Sequence, residues 1–431
     1  MYNLVSFLGI FLLVGFGWLI STDRRRMNWR AIGWGIGLQL LFALFVFRVP
    51  AGVGFFRWVN DAVIAVLGCA SAGTEFVFGP LAKSPGPDSP QSLGLILATQ
   101  AFPTIVFFSA LTAVLYYYGI LPLIIRGFSY AFTKLMRISG AESLCAASNI
   151  FVGIESALTI KPHLGEMTRS ELCTVLTAGM ATVASSVMAV YVGALVGEFP
   201  YIAGHLVSAS ILSAPAAVVM SKVLLPESET PKTLGVSVRP HYEREATLFE
   251  AVINGANAGV RLVVGIVALL LAVLGLIALV DLILGGVGGW ANGSFGWKVE
   301  WSLTTLLGWL FYPFTLALGV PLEDVGAISV IIGKRAVATE VPAYYDLAAA
   351  VRDGVVRHPR SAIIATYALC GFAHVASVAI FVGGVSALAP SRTGTLARIG
   401  FRALVAATLA CLMTACAAGV FCTEQSMLLG G

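Results

Sequence analysis

Charge is what this 431-residue sequence has least of. Lys and Arg number 26 and Asp and Glu 22, so charged residues make up 11% of the chain, against about 25% in water-soluble domains. The net charge of +4 is gathered in short clusters and leaves no basic face for nucleic acid. The chain also lacks a His-Glu-x-x-His motif, a Walker loop and any Ser/His/Asp arrangement of recognisable spacing, so nothing supports reading it as a membrane enzyme. Its seven cysteines (Cys69, Cys145, Cys173, Cys370, Cys411, Cys416 and Cys422) form no Cys-x-x-Cys pair and lie mostly inside apolar runs. That is the setting of small core residues rather than of metal ligands or disulfides, and no bound cofactor is expected. What is present is hydrophobic: 58% of residues, with a mean hydropathy of +0.90. Several runs suffice for a bilayer span, which takes roughly 20 apolar residues, so the fold class is an all-α, multi-pass membrane protein.

Eight spans are expected, at residues 4–20, 32–47, 95–117, 173–196, 202–220, 260–284, 363–388 and 403–421. The first lacks the basic flank and small-residue cleavage site of a signal peptide. It ends in Asp23-Arg24-Arg25-Arg26, which puts that end inside and the N-terminus outside. Arg126, Lys134 and Arg137, the polar stretch 222–245, and Arg392, Arg398 and Arg402 also fall inside. Arg352, Arg357 and Arg360 fall outside and violate the rule. Residues 51–79, opening with Phe55, Phe56 and Trp58, read as an interfacial helix. Residues 302–318 read as a half-buried helix, and the Pro/Ser/Gly-rich 80–92 and glycine-rich 285–296 as loops.

Two segments resist reading as spans. Residues 142–165 hold Asn149, Gly153, Glu155 and Ser156 between apolar ends; residues 323–347 hold Gly333, Lys334, Arg335, Thr339 and Glu340. A carboxylate at the bilayer centre costs roughly 2.5–3.5 kcal/mol, so each should face protein or water, as the tip of a re-entrant hairpin does. Each is followed by a span with a similar heptapeptide, Gly179-Met180-Ala181-Thr182-Val183-Ala184-Ser185 and Gly371-Phe372-Ala373-His374-Val375-Ala376-Ser377. The topology runs those spans in opposite directions, giving an inverted repeat, the frame of a secondary transporter with its site at the midplane. The domains expected are a scaffold at 1–140, a first transport repeat at 141–221, a connecting region at 222–317 and a second transport repeat at 318–431.

The strings Asn149-Ile150-Phe151-Val152-Gly153 and Met167-Thr168-Arg169-Ser170-Glu171-Leu172, the hairpin from Gly333-Lys334 to Glu340, and Ala365-Thr366-Tyr367-Ala368-Leu369-Cys370-Gly371-Phe372-Ala373 together resemble the concentrative nucleoside transporter family. The resemblance covers nearly the whole chain. It implies eight spans and two opposed hairpins, a homotrimer in a bacterial inner membrane, and import of nucleosides by an elevator-like movement coupled to sodium or protons. The ion site implied comprises Asn149, Val152, Thr182 and Val183. The substrate site implied comprises Gly153, Ile154, Glu155, Ser156, Val187, Glu340, Phe372, His374 and Ser377.

The chain departs from the family at the first tip, where Gly-Gln-Thr-Glu is Gly153-Ile154-Glu155-Ser156. Ile154 cannot offer the donor and acceptor that Gln offers a base edge. Glu155 is then a ligand-facing acid, a structural ion-pair partner of Lys334 or Arg335, or a proton carrier. On the ribose side Glu340, Phe372 and Ser377 match, while Thr339 and His374 each replace an Asn. The alternatives to a sodium-coupled carrier are a proton-coupled carrier of another nucleoside-like solute, a channel, and a non-transporting receptor.

Overall fold

The computed structural model describes residues 1–83, 92–241, 245–296, 299–423 and 426, so most of the loop expected at 80–92 lies outside the described residues. Apart from one isolated bridge between Ser139 and Leu234, the regular structure among these residues is helical. Helices α1 (Tyr2–Leu19) and α2 (Trp29–Phe47) are joined by a short turn, and Asn28 caps α2 by accepting from the Ala31 N–H. Helix α3 (Pro50–Phe78) buries Gly52, Phe56, Asn60, Ala70 and Thr74, a single narrow face. The short α4 (Leu97–Gln100) leads into α5 (Pro103–Tyr117). A helix not expected from the sequence follows. In α6 (Ile120–Met136) Leu121, Ile125, Ser129, Phe132, Thr133 and Met136 form one buried stripe.

The first hairpin comprises α7 (Gly140–Ser148), a tip, and a 3₁₀ return over Ile154–Ile160. The span expected at 173–196 is two helices, α8 (Arg169–Ala181) and α9 (Ser185–Leu195), and α10 (Ile202–Leu224) follows. Helix α11 (Leu248–Phe295) runs unbroken for 48 residues, about 72 Å at 1.5 Å per residue. Helix α12 (Leu303–Ala317) precedes the second hairpin, α13 (Leu322–Ala338) and α14 (Glu340–Arg352). The expected span 363–388 is again two helices, α15 (Pro359–Leu369) and α16 (Val375–Leu388), before α17 (Thr393–Phe421). Both breaks fall on the repeated heptapeptide. The sequence reading of two continuous spans is therefore corrected to two broken ones, each opposite a hairpin tip.

The glycine-rich segment 285–296 is a second correction. Residues 285–295 continue α11, and Gly296 ends it at φ 68; of these glycines Gly288 serves packing, since a Cβ there would lie 2.1 Å from the Trp301 side chain. Gly255 and Gly259 do the same for α5, where added Cβ atoms would lie 2.8 Å from Ala110 Cα and 2.7 Å from Val106 Cα. Small residues four apart allow two membrane helices this close approach.

Eight helical segments among the described residues are long and apolar enough to cross a membrane. Their number equals the expected one, but Pro50–Ala82 qualifies by length and the broken 363–388 does not. The buried core lies where the repeats meet: α10 packs on α2, α8 and α17, and α17 packs on α1, α8 and α15, so residue 140 does not divide the packing. Under the first repeat, buried Lys222 Nζ lies 2.8 Å from Glu142 and 3.5 Å from Glu227 and donates to Ser170 Oγ at 3.0 Å. This buried charge is paired and hydrogen-bonded, and it ties α7, α8 and α10 together.

Candidate functional site

The first tip rests on the α8–α9 break. The Ser185 N–H donates to the Phe151 carbonyl at 3.1 Å, and Ser210 Oγ donates to the Ile150 carbonyl at 2.8 Å. Asn149 is fully buried. Its Nδ2 donates to the Cys145 carbonyl at 3.0 Å, while its Oδ1 has no partner. Thr182 Oγ1 donates back to the Ala178 carbonyl at 2.9 Å, which leaves its lone pairs available. Val152 and Val183 are buried at the same junction. The four residues expected at an ion site therefore sit on the tip and break that pack together, with a free amide oxygen among them.

The second tip is a single residue. Thr339 turns the chain at φ 76, and its buried Oγ1 has no partner. Glu340, the first residue of α14, is buried; its Oε1 accepts from Tyr191 Oη at 2.6 Å. Tyr191 stacks on Tyr344 with ring centroids 4.5 Å apart, and Tyr344 Oη donates to the Thr366 carbonyl at 3.0 Å. Facing Glu340 is His374, the N-cap of α16. Its Nδ1 accepts from the Ser377 N–H at 3.2 Å, which assigns the ring proton to Nε2. His374 Nε2 lies 3.6 Å from Glu340 Oε2, too far for a hydrogen bond, and neither atom has a partner. Ser377 Oγ is spent on the His374 carbonyl at 2.6 Å.

Two cavities meet at the first tip. One, about 390 Å³, lies between the repeats and α11 and is lined by Gly153, Glu155, Val187, Tyr191, Arg261 and Phe372, among others. The other, about 400 Å³, shares Gly153 and Glu155 and opens toward α5, with Lys161 and Glu245 on its wall. Glu340, His374 and Ser377 line neither cavity; they sit buried beside the cavity-lining Tyr191 and Phe372, whose ring centroid is 4.7 Å from that of His374. Ser156 turns the other way, with its Oγ 3.6 Å from Cys145 Sγ. The side chain of Ile154 lies outside the described residues. Glu155 has no ion-pair partner among the described residues: Lys334 binds Asp346 at 2.5 Å, and Arg335 donates to the Ala368 carbonyl.

The sequence reading missed Tyr191, Arg261 and the separate fate of Arg335. Tyr191 lies one helical turn beyond Val187, so the i, i+4 spacing from an expected site residue was the available signal.

Two re-entrant hairpins, each facing a broken helix across a fully buried polar junction, form the frame on which secondary transporters of the inverted-repeat class are built. The chain belongs to the Na+ dependent nucleoside transporter family. The C-terminal model of that family matches residues 205–419, its N-terminal model residues 8–81, and a nucleoside recognition model residues 98–198. Mouse solute carrier family 28 member 3 is 37% identical over 432 residues; the match covers 97% of this chain and 59% of that protein, so the chain spans about three fifths of its length. An uncharacterized transporter of Haemophilus influenzae is 37% identical, with 97% of each chain covered. CNTnw in an inward-facing substrate-bound state superposes with a TM-score of 0.89 at 34% identity, covering 100% of this chain and 99% of that one.

Proposed function

We propose that this protein is a sodium-coupled symporter that imports nucleosides or related ribosides by alternating access. The observation that carries the reading is the pair of buried, unpartnered atoms Glu340 Oε2 and His374 Nε2. One accepts and the other donates, and 3.6 Å separates them. Vicinal hydroxyls serve both at once, donating to the carboxylate and accepting from the imidazole. Phe372 supplies an aromatic face on the cavity side, and Gly153, Glu155 and Val187 are the candidates for the base end of the cavity. Ser377, bonded within its own helix turn, holds the His374 ring in place.

On the other repeat, Asn149 Oδ1, the Thr182 hydroxyl and the carbonyls of Val152 and Val183 form a set of neutral oxygens suited to a small hard cation. Sodium would supply the positive charge there; among the described residues Ser210 Oγ of α10 reaches one of those oxygens, the Val183 carbonyl, at 3.5 Å. The pair formed by α5 and α11, which pack on each other, would act as part of the frame against which the repeats move.

A thermal-shift series of the purified protein against nucleosides, nucleobases and free ribose, in sodium and in choline, tests the reading. Binding to the folded state raises the midpoint. Nucleosides should raise it, more so in sodium; a response to nucleobases alone, or an identical response in both salts, overturns the ribose or the sodium assignment respectively. Accumulation of substrate against its gradient in vesicles separates a transporter from a channel. We further propose a homotrimer in a bacterial plasma membrane with the N-terminus outside. Arg360, one of the three arginines that violate the positive-inside rule, is buried and internally bonded, so it is not a loop charge of the kind that sets topology. Labelling of a cysteine placed at the N-terminus by a membrane-impermeant reagent in whole cells checks the orientation.

A further inference from the structure

Two buried arginines of the second repeat are treated differently by the fold. Arg360 is fully engaged. Its Nε donates to the Gly319 carbonyl, its Nη1 to Asn3 Oδ1 and the Cys422 carbonyl, and its Nη2 to Ser6 Oγ and the Gly419 carbonyl, at 2.7–3.3 Å. Arg335 has no exposed surface, yet only its Nη1 is bonded, to the Ala368 carbonyl at 2.9 Å. Its Nε and Nη2 have no partner, and among the described residues no carboxylate lies within 4.0 Å. A guanidinium cannot shed its proton, so this charge stays buried.

Its surroundings explain why the charge is tolerated. Ala368 is in the last turn of α15, where helix carbonyls carry partial negative charge. Glu340 lies across the single-residue tip, with Oε2 free. The first repeat has the same frame and no such cation. Its tip at 149–153 and break at 182–184 hold no Lys or Arg, and its unsatisfied atom is an acceptor, Asn149 Oδ1. One half therefore lacks a positive charge and the other carries its own.

We propose that Arg335 is a built-in cation: in the second repeat it does the electrostatic work that an exchangeable sodium ion does in the first, so a single sodium ion accompanies each substrate. The inference rests on the sodium-coupled reading for its stoichiometry, but not for the role of the charge itself. Because Arg335 lines neither cavity, it acts as a positioning residue, holding the α15 end and the Glu340 carboxylate in register.

The test compares wild type with Arg335→Ala, Arg335→Lys and Arg335→Gln. Arg335→Ala should weaken nucleoside binding by about tenfold or more, and millimolar guanidinium should restore it where added sodium does not. Arg335→Lys should retain most of the affinity and Arg335→Gln should not. In proteoliposomes the wild-type sodium-to-nucleoside flux ratio should be one. Arg335→Ala binding like wild type, restoration by any salt equally, or a wild-type ratio of two overturns the proposal. If Arg335→Ala does not fold, the substrate-free melting midpoints of Arg335→Lys and Arg335→Gln decide it: Lys should melt higher, guanidinium should raise Gln alone, and equal behaviour refutes the built-in cation. A wild type that answers to no nucleoside defeats the transport reading instead and leaves those midpoints informative.

Discussion

The two hairpin-and-break units share a frame and divide the chemistry. In the first, the tip offers oxygen: a free Asn149 amide oxygen and the Thr182 hydroxyl. In the second, the tip and break bring charge and hydrogen-bond donors: Arg335, Glu340 and His374, with Thr339 held at a positive φ that few non-glycine residues adopt. The equivalent heptapeptide position is Thr182 in one and His374 in the other. Duplication of a backbone supplies two broken helices whose ends can each hold a polar ligand. Which ligand each could hold is set by a handful of side chains, and on the proposed reading the difference would let one molecule couple an ion on one side to a polar solute on the other.

The largest expected effect lies on the substrate half. Glu340→Gln keeps the shape and removes the charge, so binding of the best nucleoside should weaken by about 1.5–3 kcal/mol, the worth of a charge-assisted hydrogen bond. Calorimetric titration in saturating sodium measures it, and undiminished affinity would show that the second half does not hold the sugar. Next in size is the ion half. Asn149→Ala removes an oxygen from the sodium set and should cost about 1–2 kcal/mol of sodium affinity. Because coupling is reciprocal, sodium's enhancement of nucleoside binding and the nucleoside's enhancement of sodium binding should shrink by the same factor. Unequal shrinkage would place the coupling elsewhere.

A smaller effect probes the join between the halves. Tyr191 comes from α9, on the first repeat, and donates to Glu340 on the second. Tyr191→Phe removes one neutral donor while preserving the stack on Tyr344, for a loss of about 1 kcal/mol in nucleoside affinity. The effect should shrink in the Glu340→Gln background, whose amide oxygen still accepts from Tyr191 but without the charge, and a double-mutant cycle reads that directly.

Much of this was legible in the sequence because the bilayer penalises polar groups. Asn149, Glu155 and Glu340 stand out in apolar runs, and that penalty turned them into hairpin tips. The heptapeptide match marked the breaks, although the spans around 182 and 372 read as continuous, since nothing in a run such as Met180-Ala181-Thr182-Val183 stops a helix by composition. Tyr191 gave only the weak signal of its spacing from Val187, because an aromatic residue in an apolar helix is ordinary and its hydrogen bond is made across 149 residues of chain. Lys334 and Arg335 read alike as adjacent tip cations. Only their different directions on α13 separate a partly exposed pair with Asp346 from a fully buried guanidinium. Gly288 misled for a physical reason: a residue without a side chain signals a turn and a tight helix contact equally well.

The finest distinction concerns the first tip, where ion half and substrate cavity meet. Glu155 lines both cavities and is unpaired among the described residues, so the fold makes it a cavity-facing acid rather than half of an ion pair with the second hairpin. A partly hydrated carboxylate contributes less than the buried Glu340; about 0–1 kcal/mol is expected of such a charge. Glu155→Gln should therefore leave ribose affinity nearly unchanged. It should alter the ratio of uridine to purine nucleoside affinity by up to about fivefold, because it exchanges an acceptor-only group for one that also donates to a base edge. Competition of unlabelled nucleosides against one labelled substrate measures that ratio in wild type and variant. An unchanged ratio with lost sodium dependence would move Glu155 from base reading to ion coupling, and would make the first tip wholly an ion device.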